Sequence, residues 1–449
     1  MMARVPRRLA VVPMLLLGLV APPRAGAAEP DPRVARLVDS VSEERLTQLL
    51  RGLAGFETRN TLSATDSPAR GIGAARQWIL EEMRGSSPRL QVSFDSYSIP
   101  RQGERITRDT EIRNVAAVLP GRSPRRLYVS GHYDSLARAP SASATSPGGG
   151  FDWNLTDNPA PGVNDDGSGT ALVMELARVF GQSGIEFDAT LVFIVFAGEE
   201  QGLVGSKLHA QRAAAEKLPI EAVLNNDIVG GATGGNGTAD TRSVRVFSEG
   251  PEDSPSRQVA RAIRRQAALY VPSHEVRLIA RHDRFGRGGD HTSFNQHGFP
   301  GVRFTESKED YARQHTVEDT LEGVSPAYLA RNARVNAAAL AVLGLAPPAP
   351  SVLDPQGRPQ LGRGSSGYDA VLRWSPSPGA AGYRVFWRDA WTPDWQRERD
   401  VGNVGEAVLP GVSIDDHVFG VAAVGPSGEE SLVSAYVNPP RPITEIKTN

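Results

Sequence analysis

A short stretch in the middle of the chain, TLVFIVFAGEE at residues 190–200, indicates the fold class. The nearly continuous apolar run from Thr190 to Phe196 is typical of a strand that is buried on both faces of a sheet. Glu199 and Glu200 follow this run almost directly. Because ligands gather beyond the carboxyl ends of strands in an open α/β sheet, the stretch predicts a central strand that delivers two acids to a site.

Outward from this strand, strand-like and helical patterns alternate along the chain. Strands are predicted at residues 127–129, 190–196, 221–224, 244–247, 276–279 and 302–304. Helices are predicted at residues 42–53, 71–83, 169–180, 204–216, 256–270 and 292–297. The alternation predicts an α/β fold with a doubly wound, mostly parallel sheet flanked by helices. The acidic, proline-containing segment 29–36 is expected to be a flexible lead-in.

The last part of the chain has a different pattern. A proline-rich segment at 347–360 predicts a linker that ends the α/β unit at 29–346. Short strand-like runs then predict a small all-β sandwich at 361–440. This tail resembles a fibronectin type III domain through LRW at 372–374, YRV at 383–385 and FGVAAV at 419–424. We expect it to bind a polymer, a cell surface or a protein substrate, or to act as a spacer.

Composition limits the function. The 449 residues carry a net charge of -2 without a long basic block, so nucleic acid is not an expected partner. No cysteine is present, so any metal site must use His, Asp and Glu. Arginines, an apolar run and the small residues AGA at 25–27 predict a signal peptide at 1–28 and a secreted or periplasmic protein without stable membrane association. The alternative for this segment is an N-terminal anchor.

Acidic and imidazole side chains follow the predicted strands one after another. They occur in SGHYDS at 130–135, GVNDDGSG at 162–169, FAGEEQG at 196–202, NNDIVG at 225–230 and QHTVEDT at 314–320. Each motif alone has an ordinary structural explanation, such as a turn, a helix cap or a solvated surface pair. Their joint occurrence after strands predicts one site. Two histidines and four carboxylates suffice for five ligands of a metal pair and one general base.

This set resembles the di-zinc aminopeptidases of metallopeptidase family twenty-eight, of the bacterial leucyl aminopeptidase type, over residues 42–345. The resemblance implies peptide or protein substrates and two Zn²⁺ ions. It implies the metal ligands His132 and Asp227 on one ion, Glu200 and His315 on the other, and Asp165 as the bridge, with a cis peptide bond to Asp166. It also implies that Glu199 is the general base.

Further residues are expected around this centre. Asp134 would accept the second N–H of His132, and Asp319 or Glu318 would do the same for His315. Asp166, Asp290 and His291 are expected to surround the ligands without binding metal. Several relatives have a tyrosine before the position of Asp290 that stabilises the oxyanion. This chain has Arg287 nearby and no tyrosine, so the oxyanion donor stays open.

Other functions compatible with this sequence remain. A carboxypeptidase or dipeptidase of the same fold would use Arg287 or Arg303 to bind a substrate carboxylate. A glutaminyl cyclase would need one zinc ion, and the retention of all ligands disfavours it. A non-catalytic binding protein is disfavoured because the ligand positions and the base are all filled. The leading prediction is an exported exopeptidase that hydrolyses N-terminal peptide bonds.

Overall fold

The computed structural model describes residues 30–138 and 150–438. The predicted signal peptide at 1–28 lies outside the described residues. Within the described ranges, no helix is long and apolar enough to cross a membrane.

The first part of the chain contains eight α-helices and eight strands among the described residues. The helices are α1 (Pro32–Asp39), α2 (Glu43–Ala54), α3 (Gly71–Ser86), α4 (Gly167–Gln182), α5 (Val204–Ala215), α6 (Pro255–Tyr270), α7 (Asp290–Gln296) and α8 (Pro326–Leu345). The strands are β1 (Gln91–Ile99), β2 (Thr110–Leu119), β3 (Arg126–His132), β4 (Thr190–Phe196), β5 (Ile220–Asn226), β6 (Ser243–Ser248), β7 (Glu275–Ile279) and β8 (Gly301–Glu306). A short 3₁₀ turn spans Leu321–Gly323.

The eight strands form one mixed sheet in the order β1-β2-β4-β3-β5-β8-β6-β7. Its centre is parallel, because β3 pairs in parallel with both β4 and β5, and β5 pairs in parallel with β8. Strands β3, β4 and β5 are buried almost throughout, as their continuous apolar sequences require. The predicted α/β fold class is confirmed. The antiparallel strands β1 and β2 were not predicted, because β1 lies at the edge and has mostly exposed or half-buried side chains.

The prediction of a flexible lead-in at 29–36 is wrong. Residues 32–39 form helix α1, which begins with Pro32 and is capped by the Asp31 carboxylate accepting from the backbone N–H of Arg33. Its apolar side chains Val34, Leu37 and Val38 are buried, and the helix packs against α8 and α6. The apolar residues of this short, charged segment become buried only through contacts with helices that are distant in sequence, which the local pattern does not reveal.

The last part of the chain contains two antiparallel sheets. Its strands are β9 (Leu361–Arg363), β10 (Ala370–Arg373), β11 (Gly382–Asp389), β12 (Arg397–Gly402), β13 (Glu406–Leu409), β14 (His417–Val424) and β15 (Ser434–Ala435). The sheets have the orders β13-β10-β9 and β12-β11-β14-β15 and enclose a separate apolar core. Val352 belongs to that core and Ser351 bridges to Ser375, so part of the segment 347–360 packs with the sheets.

The β-sandwich packs directly on helix α6 of the first part. The guanidinium of Arg388 on β11 donates to both carboxylate oxygens of Asp253, at 2.8 and 2.7 Å. Arg261 on α6 donates to the carbonyl of Pro393 at 2.9 Å, and Arg265 pairs with Glu398 at 2.6 Å. Arg388 and Arg261 are almost completely buried by this contact. The two parts therefore share an interface rich in charged groups.

Candidate metal centre and active site

The acidic side chains and the histidine that end or follow the central strands lie at one rim of the sheet. His132 is the last residue of β3, and Asp227 directly follows β5, which is the neighbour of β3. Glu199 and Glu200 follow β4 on the other side of β3. Gly198 makes the turn between them and the strand with φ 75°, a conformation that favours glycine. The parallel order of β5, β3 and β4 thus brings residues distant in sequence to a common edge.

Two groups of side chains in this rim have the geometry of metal sites. Within each group, the possible ligand atoms all lie within 4.8 Å of one another. The first group contains His132, Glu199 and Asp227, and the second contains Asp165, Glu200 and His315. In the first group His132 Nε2 lies 3.9 Å from Asp227 Oδ1, and in the second His315 Nε2 lies 3.1 Å from Glu200 Oε2.

Asp165 lies between the two groups and faces both. Its Oδ1 lies 3.4 Å from His132 Nε2, and its Oδ2 lies 3.1 Å from His315 Nε2. The Asp165–Asp166 peptide bond is cis. Glu200 Oε1 is buried without a hydrogen-bond partner among the described residues. A bridging carboxylate and an unpartnered carboxylate oxygen fit a pair of divalent metal ions.

The Asp134 carboxylate holds the backbone of the two glutamates. Its oxygens accept hydrogen bonds from the backbone N–H groups of Glu199 and Glu200, both at 3.2 Å, and from the hydroxyl of Thr61 at 3.0 Å. The expected contact with His132 Nδ1 is made instead by the backbone oxygen of Asp134, at 3.1 Å, and the nearest carboxylate oxygen lies at 3.5 Å. The residue therefore orients His132 through its main chain and Glu199 and Glu200 through its side chain.

Asp166 joins three segments at the centre of the site. Its carboxylate caps helix α4 at the N–H of Gly169 and also accepts from the N–H groups of His132 and Ile228, at 2.9, 3.0 and 3.2 Å. These contacts connect the segment that carries Asp165 to the ends of β3 and β5. Asp166 therefore surrounds the ligands and contributes no atom to either metal group.

The expectation that Asp319 orients His315 is wrong. The Asp319 carboxylate accepts hydrogen bonds from the backbone N–H groups of Asn164 and Asp165, both at 2.9 Å. Burial raises the pKa of Asp319 to about 7. His315 has a left-handed backbone with φ 56°, and its carbonyl accepts from the N–H of Arg138 at 2.9 Å. The chain turns at His315, and Asp319 therefore faces the loop at 164–165. The spacing between His315 and Asp319 in the sequence did not indicate this turn.

Glu199 lies in a buried cluster of acidic side chains beside the cavity. Burial raises the pKa of Glu199 well above its ordinary value, and the nearby Asp227 and Glu200 raise it further, although His132 opposes them. The Glu199 side chain is 14% exposed, so it keeps access to the cavity. A carboxyl group with these neighbours is suited to exchange protons with a substrate.

Asp290 and His291 lie at the start of α7, completely buried and outside the two metal groups. Burial raises the pKa of Asp290 to about 7 and lowers that of His291 to about 4. His291 Nε2 lies 2.8 Å from the carbonyl oxygen of His282.

Two buried arginines, Arg59 and Arg303, hold parts of the site together, and this role was not predicted from the sequence. The buried guanidinium of Arg59 donates to the carbonyls of Tyr133, Pro161 and Gly162, at 2.7, 2.6 and 2.8 Å, and so joins the loops that carry Asp134 and Asp165. Arg303 lies 2.8 Å from the Asp227 carboxylate. Nothing in the pattern around Arg59 marks it, because its partners are backbone carbonyls. Arg303 was considered only as a group that binds substrate.

A cavity of about 770 Å³ opens above the metal groups. Asp165, Glu199, Glu200, Asp227 and His315 contribute to its lining. Apolar and aromatic side chains form much of the wall, namely Leu136, Phe151, Trp153, Leu203, Phe285 and Tyr311. The cavity has the size of a binding site for a short peptide or another small molecule.

The sequence profile of peptidase family M28 matches residues 114–340, the range that carries both metal groups. The chain belongs to peptidase family M28. Among curated members, a probable zinc metalloprotease of Pyricularia oryzae is 37% identical, covering 90% of this chain and 84% of the relative. A probable zinc metalloprotease of Leptosphaeria maculans is 36% identical, covering 92% of this chain and 98% of the relative.

Solved structures of this fold include enzymes with different reactions. The Legionella pneumophila LapA aminopeptidase superimposes with a TM-score of 0.53 at 18% identity, covering 73% of this chain and 78% of that one. A glutaminyl cyclase of Porphyromonas gingivalis superimposes with a TM-score of 0.52 at 18% identity, covering 67% of this chain and 98% of that one. At these identities the likeness shows the fold alone, so it does not decide between peptide hydrolysis and cyclisation.

Proposed function

We propose that this M28 member is an exopeptidase that binds two zinc ions and removes single residues from free peptide N-termini. The observation that carries the proposal is the position of Asp165, whose two carboxylate oxygens face His132 and His315 separately. The curated relatives named as probable zinc metalloproteases support zinc as the metal. Bound zinc ions would supply Lewis acidity for the scissile carbonyl and the attacking water, and a ligand position for the substrate amine.

The residues of the chain itself provide the proton transfer. Glu199 lies at the cavity and 4.0 Å from His132 Nε2, so its carboxylate is close to the place where water would attack. It would take the proton of the attacking water and pass it to the leaving amine. Asp134 holds the backbone of Glu199 and thereby fixes the direction of this carboxylate.

The first test compares two adjacent glutamates. We expect Glu199→Gln to keep its zinc and to lose activity by about 10²- to 10⁴-fold, because only the proton acceptor is removed. Glu200→Gln should lose zinc from the second group as well as activity, because Glu200 Oε2 faces His315 at 3.1 Å. Metal content by mass spectrometry and peptide hydrolysis measure both effects. Equal loss of zinc in the two variants would contradict the assignment of Glu199 as the base.

The second test decides which end of the substrate is attacked. Three peptides of one sequence are compared: one with both ends free, one with an acetylated N-terminus and one with an amidated C-terminus. The residues released from each peptide are identified. We expect acetylation to abolish hydrolysis and amidation to have little effect. Hydrolysis that depends on a free carboxyl end would instead establish the carboxypeptidase alternative.

A glutaminyl cyclase remains the second candidate, because enzymes of that kind share the fold. The presence of both ligand groups argues against it, since the cyclase reaction was expected to need one ion. Release of ammonia from a peptide with N-terminal glutamine, together with one zinc per chain, would favour the cyclase. Export to the periplasm or medium is proposed from residues 1–28 alone, and N-terminal sequencing of the mature protein tests it.

A further inference from the structure

The charged groups that line the cavity fall into two classes. The acids are Asp165, Glu199, Glu200 and Asp227, all of which belong to the metal groups. The remaining charged lining groups, His315 aside, are arginines, namely Arg105, Arg138, Arg284 and Arg287. A bound pair of divalent ions would neutralise the four carboxylates, so the walls of the loaded cavity would carry an excess of positive charge.

One of these arginines is already neutralised by the protein. Arg284 pairs with Asp283 at 3.1 Å and with Glu309 at 2.6 Å, and its side chain is 7% exposed. Glu309 also pairs with Arg245 at 2.6 Å, which occupies its second oxygen. The Glu309 carboxylate is therefore shared by two close guanidinium groups before any other arginine approaches it.

Arg287 is only weakly compensated. Its NH1 group donates to the side-chain oxygen of Gln314 at 2.9 Å, and the nearest carboxylate oxygen, on Glu309, lies at 3.7 Å. The side chain is 32% exposed and faces the cavity. It therefore has hydrogen-bonding capacity left for a ligand.

Arg105 also lines the cavity and has no carboxylate partner among the described residues. Its NH1 group donates to the carbonyl of Glu200 at 3.3 Å, and its guanidinium lies 5.0 Å from the centre of the Trp153 ring. Arg138 lies over Phe151 in a similar way, at 5.8 Å. Stacking on aromatic rings restrains a guanidinium while leaving its edge able to donate hydrogen bonds.

We propose that the cavity selects peptides with an acidic side chain at the first or second residue, which Arg105 and Arg287 bind. The inference rests on the proposed exopeptidase function and adds its substrate class. Both arginines line the same cavity, and a carboxylate bound there would form charge-assisted hydrogen bonds with their guanidinium groups. The acid would thus be recognised beside the metal centre, with the scissile bond over Asp165 and Glu199.

The test uses peptides in which Glu replaces Gln at the first or at the second residue, because these side chains differ mainly in charge. We expect kcat/KM for a Glu peptide to exceed that of its Gln partner by about tenfold at one of the two positions, mostly through KM. The preference should fall as salt is raised from low to high concentration. The position at which the preference appears shows whether the first or the second residue of the peptide contacts the arginines.

Variants separate the arginines from general effects of charge. Arg105→Gln and Arg287→Gln should each reduce the Glu/Gln ratio, and the double variant should bring it close to one. Arg101→Gln is the matched control, because Arg101 lines an adjoining depression instead of this cavity, and it should leave the ratio unchanged. Equal rates for Glu and Gln peptides at both positions, or a preference that survives the double variant, would overturn the inference. If the proposed exopeptidase function itself were wrong, the result would be different: no residue would be released from the N-terminus of the Gln peptides.

Discussion

The guanidinium of Arg303 lies 2.8 Å from the Asp227 carboxylate, which belongs to the first metal group. Arg303 is completely buried on strand β8, and it also pairs with Asp283 at 3.2 Å. Burial opposes its charge, but Asp227 and Asp283 together raise the pKa of Arg303 above its ordinary value. A buried cation therefore connects the rim of the sheet to the loop before α7 and orients the Asp227 carboxylate.

Replacing Arg303 should lower the stability of the folded protein. We expect Arg303→Met to lower the free energy of unfolding of the metal-free protein by about 3 kcal/mol, because it leaves the buried Asp227 carboxylate without its cation and removes one of the two arginines that pair with Asp283. The matched control is Arg277→Met, whose side chain is 44% exposed and pairs with Asp240 at 3.0 Å. A surface pair of this kind contributes about 1 kcal/mol or less. Urea denaturation measures both, and similar losses in the two variants would contradict the role of Arg303.

Asp134 should influence metal binding without touching the metal. In Asp134→Asn one of the two acceptor oxygens becomes an amide, so the backbone N–H groups of Glu199 and Glu200 can no longer both be satisfied. We expect zinc affinity to fall by about 10- to 100-fold, as for other groups that support ligands. Calorimetric titration with zinc measures the change. The exposed Asp157→Asn serves as control and should bind zinc as the unmodified protein does.

Glu309 gives a pH-dependent contribution to stability. Burial alone would raise its pKa, but Arg284 and Arg245 outweigh burial and lower it to about 2. A carboxyl group whose pKa is lowered in the folded state stabilises the protein above its unfolded pKa, and this stabilisation is lost as the pH falls toward 2. We expect Glu309→Gln to cost about 3 kcal/mol at pH 7.

The difference between Glu309→Gln and the unmodified protein should shrink below pH 4. Urea midpoints at pH 7 and pH 3.5, measured with a chelator present, give the comparison. Glu57→Gln is the control, because Glu57 is 62% exposed and its pair with Arg70 at 3.6 Å contributes little at either pH. A cost that does not change with pH would show that packing of the side chain, rather than its charge, is responsible.

The contact between the β-sandwich and helix α6 should contribute to folding. Arg388→Met removes the Arg388–Asp253 pair from a largely buried place and leaves Asp253 with Arg261 alone, at a cost of about 2 kcal/mol. Arg373→Met is the control, because Arg373 is 53% exposed and pairs with Glu406 within the sandwich. We expect one cooperative thermal transition for the whole chain, at a lower temperature in Arg388→Met. Two separate transitions, unaffected by this variant, would show that the two parts unfold independently.

The sequence was informative where the local pattern and the tertiary environment agree. The strand at 190–196 was predicted at its observed bounds, because a strand buried on both faces has a continuous apolar sequence. Edge strand β1 was not predicted because most of its side chains are exposed or half-buried. Helix α1 was not predicted because it is short and buries only three apolar side chains. The partner of Asp319 was predicted wrongly because the chain turns sharply at His315.

The residue types and their order along the chain limit the chemistry that this protein can perform. The sequence supplied histidines and carboxylates after successive strands, no thiol ligand, and the order of elements that places strand ends on one side. The tertiary structure alone decided that Asp165 faces two groups at once, that Arg303 neutralises Asp227, and that arginines surround the acids of the cavity. The reason is that local residue patterns report burial and periodicity along one element. Distances between side chains on different elements depend on how the strands are ordered and how the loops between them turn.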